Sequence, residues 1–479
     1  MASDRFPLAR FLAYTIAAVF ALQTGSAFSA GTTPVTPAEA ERFDLSGSPV
    51  NIILISLDAL RYDRTGYGGN ERPVTPNLDK LASESVVFHD ATSQGSWTLP
   101  SHMSIFTGLW PTAHGVVNKL SRGAGGEIIP TILEPSIGVL TENIARAGFE
   151  CVAFTGDAGV SGRFGFARGF EIFLDDVKFG GMDHSVPAAL DWLGQHGDER
   201  FFLFLHGYDV HGQYDPANGY TREFVDGEYT GPLEGNRFEQ GKLREEALLA
   251  IGKPGSDGRA RLSSVSAEDY AFYLSLYDEK VRDQDRRLGV FLDHLRATGL
   301  YEKSIIAVVS DHGEEFGEHE SIDHGPTLYQ EMVHVPMLIR FPGQLQGMRV
   351  DTPVRTMDIF PTVMSAVGLP LPDGLHGVSL LPLMRGGAFD EPVVSESDYR
   401  LFVHRRMIRN GPWKLILDLY SGAKELYHLD RDPAETNNLV EAEPRQAYEM
   451  EQALLRWMNS VQQSPETFLG VEEEPINEY

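Results

Sequence analysis

Cysteine is nearly missing from this chain: Cys151 is the only one, so no internal disulfide and no cysteine-based metal cluster can form. Positive charge is also scarce. Forty basic residues face sixty-eight acidic ones, and a net charge of -28 opposes binding to nucleic acid or an anionic membrane through the overall field. A fixed-period internal repeat is absent as well, which argues against a solenoid or propeller. What the chain does have is length and apolar content: 479 residues at 42% hydrophobic suffice for one large globular domain and a smaller one.

Near the N-terminus, Arg5 and Arg10 precede or flank the apolar run FLAYTIAAVFAL and the small-residue stretch GSAFSA. Residues 1–30 therefore read as an export signal cut between Ala27 and Ala30, and 31–48 as a linker. Export, to a periplasm or outside the cell, is the expectation. A retained membrane anchor is the rival, although the run is shorter than the roughly 20 residues a span needs.

The short apolar runs VNIILISL, VVFHDA, CVAFTG, FFLFLH, SIIAVVSD and VPMLIR predict buried strands, and helix-sized segments such as NLDKLASES and 267–295 lie between them. That alternation predicts an α/β fold, a large mostly parallel sheet sandwiched by helices. Ligands of such sheets bind beyond the carboxyl ends of strands, where Asp58, His206 and Asp311 fall. The glycine-rich, charged stretch 219–259 predicts a loop insertion within a catalytic domain spanning 49–385. Residues 386–479 read as a small C-terminal subdomain, an antiparallel meander followed by a helix over 446–461.

The segment TLPSHMSIFTG places the Thr98 hydroxyl at the start of a predicted helix with Pro100 in its first turn, which suits an anion held beside free backbone N–H groups. Hydrolysis of a sulfate or phosphate ester is the leading idea. Asp58, Asp311 and His312 offer oxygen and nitrogen ligands for one divalent cation, with Thr98 as a fourth ligand and nucleophile. Taken singly, each would read as a cap or a loop ion pair. Ser101 and His102 lie close enough to orient Thr98 or bind the anion, with local capping as the plain alternative. In LHGYDVHGQYDP, His206 and His211 are candidates to protonate a leaving group or to bind a nonbridging oxygen. Asp209 and His211 could instead ligate a second metal, but the base expectation is one. His324 is a candidate cation toward the ester oxygens, Asn118 a neutral donor to them, and His319 a surface or outer residue.

The segments NIILISLDALRYD, TPNLDKLASESVVF, LPSHMSIFTGLWPTAHGV, SDHGEEFGEH and LYQEMVHVPMLIR resemble the sulfatase family of the alkaline-phosphatase-like superfamily, over about 51–439. The resemblance implies a large α/β domain, a smaller C-terminal sheet domain and a metal-supported nucleophile. Asp58, Asp311 and His312 match its metal ligands. Thr98 matches the modified cysteine or serine of C/S-x-P-S-R, with His102 in place of its arginine. His211 matches the histidine after the central strand, His324 takes the place of an anion-contacting lysine, and Asn118 resembles the anion-contacting asparagine of phosphonate and phosphodiester hydrolases.

Departures from the family pattern carry information too. Ala59 stands where calcium-binding arylsulfatases have a second aspartate, and GDAG replaces the GKWH-like segment. The ligand set resembles manganese- or zinc-using branches, with calcium or magnesium as alternatives, and formylglycine is not expected at Thr98. The expected reaction is hydrolysis of a phosphodiester or phosphomonoester through a covalent Thr98 intermediate. Its alternatives are a sulfuric ester hydrolase, a phosphoglycerol-type transferase and a catalytically silent anion-binding protein. The expected partner is a small anionic ester of a sugar, lipid or aryl alcohol, with no nucleic acid and no obligate protein partner.

Overall fold

The computed structural model describes residues 43–461 apart from 123–125, 213, 215–222, 226–228, 252–261, 263 and 401. The expected export segment, most of the linker and part of 219–259 therefore lie outside the described residues. Among those described, no helix is long and apolar enough to cross a membrane.

In chain order, the main sheet is built from β1 (Asn51–Leu57), β2 (Val86–Phe88), β3 (Glu150–Phe154), β4 (Ile172–Leu174), β5 (Phe201–Gly207), β6 (Ser304–Val309), β7 (Met337–Arg340) and β8 (Met348–Val350). Its spatial order is β8-β2-β7-β6-β1-β5-β3-β4. The centre is parallel: β1 pairs in parallel with both β5 and β6, whereas β7 runs antiparallel to β6 and β2. The sheet is thus mixed at one side, because VPMLIR returns beside SIIAVV in the opposite sense.

Helices α1 (Pro76–Ala82), α2 (Thr98–Thr107), α3 (Leu140–Arg146), α4 (Met182–His196), α5 (Arg237–Ile251), α6 (Ala267–Thr298) and α7 (Ile359–Ala366) surround this sheet. Strand β5 shows why a continuous apolar run is needed. Phe201 meets Trp192 of α4 on one face, while Phe202 and Phe204 meet Phe360 of α7 and Phe106 of α2 on the other. Helix α5 occupies 237–251 of the stretch expected to be loop, and it buries Leu243, Ala247 and Leu248. Its apolar residues are few, so its periodicity is faint in the sequence.

A second, antiparallel sheet follows in the order β9 (Val393–Tyr399), β10 (Val403–Asn410), β11 (Trp413–Asp418) and β12 (Lys424–His428), and α8 (Pro444–Ser460) packs on it through Met450, Leu454 and Trp457. Strand β9 had no separate sequence expectation. Its polar sequence VVSESDY is buried, with Glu396 accepting from Thr112 and the Ser397 hydroxyl donating to the Gly325 carbonyl.

Candidate active site

Parallel pairing of β1 with β6 brings their carboxyl ends together, so Asp58, one residue beyond β1, meets Asp311 and His312, just beyond β6. The Ala59 N–H holds Asp311 Oδ1 at 3.0 Å, with Ala59 in the left-handed region at φ 59°. Register on the other side of β1 places His206, the penultimate residue of β5, opposite Ser56. Three strand ends thus converge, as expected from the sequence.

Helix α2 delivers the fourth group. Trp97 is extended at φ -161°, Thr98 opens the helix, and Gly108 ends it at φ 66°, where a side chain would be strained. Thr98 Oγ1 lies 3.3 Å from His312 Nε2. His312 Nδ1 donates to the Gly313 carbonyl at 2.8 Å, so its Nε2 lone pair points inward, 3.4 Å from Asp311 Oδ2 and 4.0 Å from Asp58 Oδ1. Those two carboxylate oxygens are buried without a hydrogen-bond partner. Converging lone pairs with no hydrogen between them fit a divalent cation held by Asp58, Asp311, His312 and Thr98.

Electrostatics agree with that fit. Burial and the neighbouring Asp311 push the Asp58 carboxyl well up, whereas Asp311, despite burial, is held far below the carboxylate range by the His312 and His102 imidazoles. Burial lowers His312 to about 4, so it is neutral and able to ligate.

His102 and Ser101 point away from the Thr98 hydroxyl. His102 Nδ1 donates to the Thr98 carbonyl at 2.9 Å and lies 3.3 Å from Asp311 Oδ2, while Nε2 meets Ser56 Oγ at 2.8 Å. Ser101 Oγ donates to the Gly95 carbonyl at 3.0 Å. His206 Nε2 lies 3.3 Å from Asp58 Oδ2, and burial keeps its imidazole neutral. These three therefore sit behind the cation ligands. Asn118 bridges the Asp398 carbonyl and the Arg400 N–H at 2.7 and 2.9 Å, which fastens α2's neighbourhood to β9.

His324 and His211 do face each other across the site, with ring centroids 4.7 Å apart, and His324 also lies 4.4 Å from His312. Glu314 Oε1 and Asp323 Oδ1 stand 3.0 and 2.9 Å from His324 Nδ1, and these carboxylates overcome burial to raise its pKa well above the ordinary value. Burial and His324 push His211 the other way. Asp209 is no cation ligand: Oδ2 accepts the Met182 N–H at 2.7 Å at the start of α4.

Several residues at the site had no role in the sequence reading. Tyr208 accepts the Gly159 N–H at 2.7 Å, and its hydroxyl reaches the Thr98 side chain. Its position between His206 and His211 was the available signal. Arg244 of α5 lies 3.1 Å from Asp323 Oδ2 and donates to the Tyr399 hydroxyl at 2.6 Å, linking the insertion, the His324 cluster and β9. No local pattern marks Arg244. His319, read as a surface or outer residue, is half-buried and pairs with Glu331 at 2.6 Å.

A family model described as Sulfatase matches residues 50–369, and one described as N-sulphoglucosamine sulphohydrolase, C-terminal, matches 317–464. The chain is 32% identical to human Arylsulfatase K over 88% of its length and 84% of the relative. It is 24% identical to Delta 4,5-hexuronate-2-O-sulfatase of Bacteroides thetaiotaomicron, over 81% of this chain and 84% of that one. Its fold matches the phosphonate monoester hydrolase of Agrobacterium radiobacter with a TM-score of 0.69 at 22% identity, covering 86% of this chain and 96% of that one. The matched family models, the relatives and the shared fold agree with the geometry, and the chain belongs to the sulfatase family of the alkaline-phosphatase-like superfamily, a class of hydrolases.

Proposed function

We propose that this protein is a metal-dependent hydrolase of sulfuric or phosphoric esters in which Thr98 Oγ1 is the nucleophile. One observation carries the reading: the Thr98 hydroxyl stands 3.3 Å from His312 Nε2, beside the unpartnered oxygens of Asp58 and Asp311. A divalent cation on these four residues, with manganese or zinc suited to the oxygen and nitrogen set, makes the hydroxyl easier to deprotonate and offsets charge on the ester.

Thr98 Oγ1 gives up its proton to solvent and attacks sulfur or phosphorus, the bond to the alcohol oxygen breaks, and the departing oxygen takes a proton from a histidine. His324 is the better donor, since Glu314 and Asp323 at its Nδ1 keep the imidazole protonated and leave the Nε2 proton to give, while His211 suits orientation of the alcohol. Water then attacks the covalent intermediate and frees Thr98. His102 and His206 position Asp311 and Asp58 from behind.

Kinship favours sulfuric esters of sugars over the phosphate esters expected from the sequence, because the matched family models and the relatives above are named for sulfatases. Thr98 favours phosphorus. A formylglycine hydrate expels sulfate by C–O cleavage, whereas a threonyl ester must be cleaved at the central atom, which is routine for phosphorus.

The deciding experiment compares kcat/KM on matched nitrophenyl sulfate, phosphate monoester and phosphate diester, for the wild type and Thr98→Ala. The substitution should lower kcat/KM on the preferred ester by roughly 10⁴-fold or more. Undiminished turnover in Thr98→Ala would overturn the nucleophile assignment, and the preferred ester chooses between sulfur and phosphorus.

A further inference from the structure

A second group of ionisable side chains is buried on the opposite side of the segment that carries the active site. Glu314 and Glu315 are consecutive in an extended stretch, so they point in opposite directions. Glu314 meets His324, whereas Glu315 meets His319 and Glu331. The candidate ligand atoms of Glu315, His319 and Glu331 all lie within 4.8 Å of one another.

Three observations distinguish this group from an ordinary buried ion pair. Glu315 is 0% exposed, yet neither carboxylate oxygen has a hydrogen-bond partner. An orphaned carboxylate costs several kcal/mol unless something neutralises it, on the order of the penalty for a buried ion. The His319 ring is held in one orientation, stacked on Tyr329 with centroids 3.4 Å apart. Its Nε2 faces the Glu435 carbonyl at 3.2 Å, so Nε2 carries the hydrogen and Nδ1 confronts Glu331 Oε1 at 2.6 Å. A ring nitrogen that close to a carboxylate shares a proton with it, and a divalent cation would bind both atoms by displacing that proton. An imidazole donating its other N–H to a backbone carbonyl is also the arrangement typical of a metal ligand.

Charge balance points the same way. Glu315, Glu331 and Glu435 bring three carboxylates, and Lys414 supplies one ammonium, 2.8 Å from Glu435 Oε1. Arg61, whose charge Glu331 also feels, is engaged by Asp63 and Glu318. The deficit of two positive charges is what one divalent cation supplies.

We propose that Glu315, His319 and Glu331 bind a second divalent cation of the zinc and manganese class, which ties the main sheet to the C-terminal segment through Glu435. This site is structural and does not depend on the ester chemistry.

The test counts metal. The full chain, stripped with a chelator and titrated with zinc by calorimetry, should bind two equivalents, with elemental analysis as the check. Glu315→Gln and Asp311→Asn should each bind one. A single equivalent in the wild type that Glu315→Gln retains, or two in Glu315→Gln, overturns the proposal. Should Glu315→Gln fail to fold, Asp311→Asn decides: zinc should raise its Tm, and the rise should vanish on adding His319→Gln. A Tm of Asp311→Asn that zinc leaves unmoved also overturns the proposal. None of these readouts uses turnover, so failure of the Thr98 mechanism and failure of this site are separable.

Discussion

His114 shows how burial fixes a protonation state at a residue that does no chemistry. Nδ1 accepts the Val116 N–H at 3.1 Å, Nε2 lies 3.2 Å from Ser104 Oγ, and burial lowers the pKa to about 3. The unfolded chain protonates it near 6.5, so between these values the unfolded state binds more protons and stability rises with pH. Its contribution is complete above about pH 6.5 and is lost as pH falls toward 3, at up to about 1.4 kcal/mol per pH unit. His114→Gln should flatten that dependence, read from urea unfolding at pH 7 and pH 5; an unchanged slope would refute the assignment. Residue identity was legible in the sequence here, but burial was not. The same holds for Ser101, whose hydroxyl is spent on the Gly95 carbonyl.

At the scale of an element, the turn from Thr155 to Val160 shapes the nucleophile's pocket. Asp157 and Ala158 adopt φ 56° and 54°, conformations that non-glycine residues seldom take, and Gly159 follows against the nucleophile. A Cβ on Gly159 would lie 2.8 Å from Thr98 Cβ and 2.9 Å from the Tyr208 hydroxyl. Gly159→Ala should therefore displace Thr98 and lower kcat/KM by about 10²-fold while the chain still folds, since a shift of about 1 Å costs that much. Wild-type kcat/KM in the variant would show that the turn yields instead. GDAG marked a departure from the family pattern, yet only the close approach of this turn to α2 explains its glycine.

For the molecule as a whole, docking of the C-terminal sheet completes the site. Arg406 of β10 is fully buried, with Nε 3.1 Å from Glu396 Oε2 and Nη2 2.8 Å from Asp398 Oδ2. Glu396 in turn accepts the Thr112 hydroxyl and N–H, and Asp398 offers its carbonyl to Asn118. Tyr399, next in sequence, carries the contact to Arg244 beside Asp323. Arg406→Met leaves Glu396 with Thr112 and Asp398 with His404 but without their shared guanidinium, and should cost about 3–5 kcal/mol in urea unfolding. A loss below about 1 kcal/mol would mean that the carboxylates find other partners.

The sequence by itself determined the α/β sheet, because uninterrupted apolar runs such as FFLFL are stable only when covered on both faces, as Phe201, Phe202 and Phe204 are. It also placed Asp58, Thr98, Asp311 and His312 at strand ends and a helix start, positions that the sheet brings together, since such residues inherit their position from local patterning. Tertiary structure decided the rest. Whether His102 and Asn118 face the ester or brace the backbone, whether α5 brings Arg244 to Asp323, and whether Glu315 is left without a partner all depend on contacts between segments far apart in the chain. Such contacts leave no periodic trace in the sequence, because a side chain's direction is local but what it meets there is not.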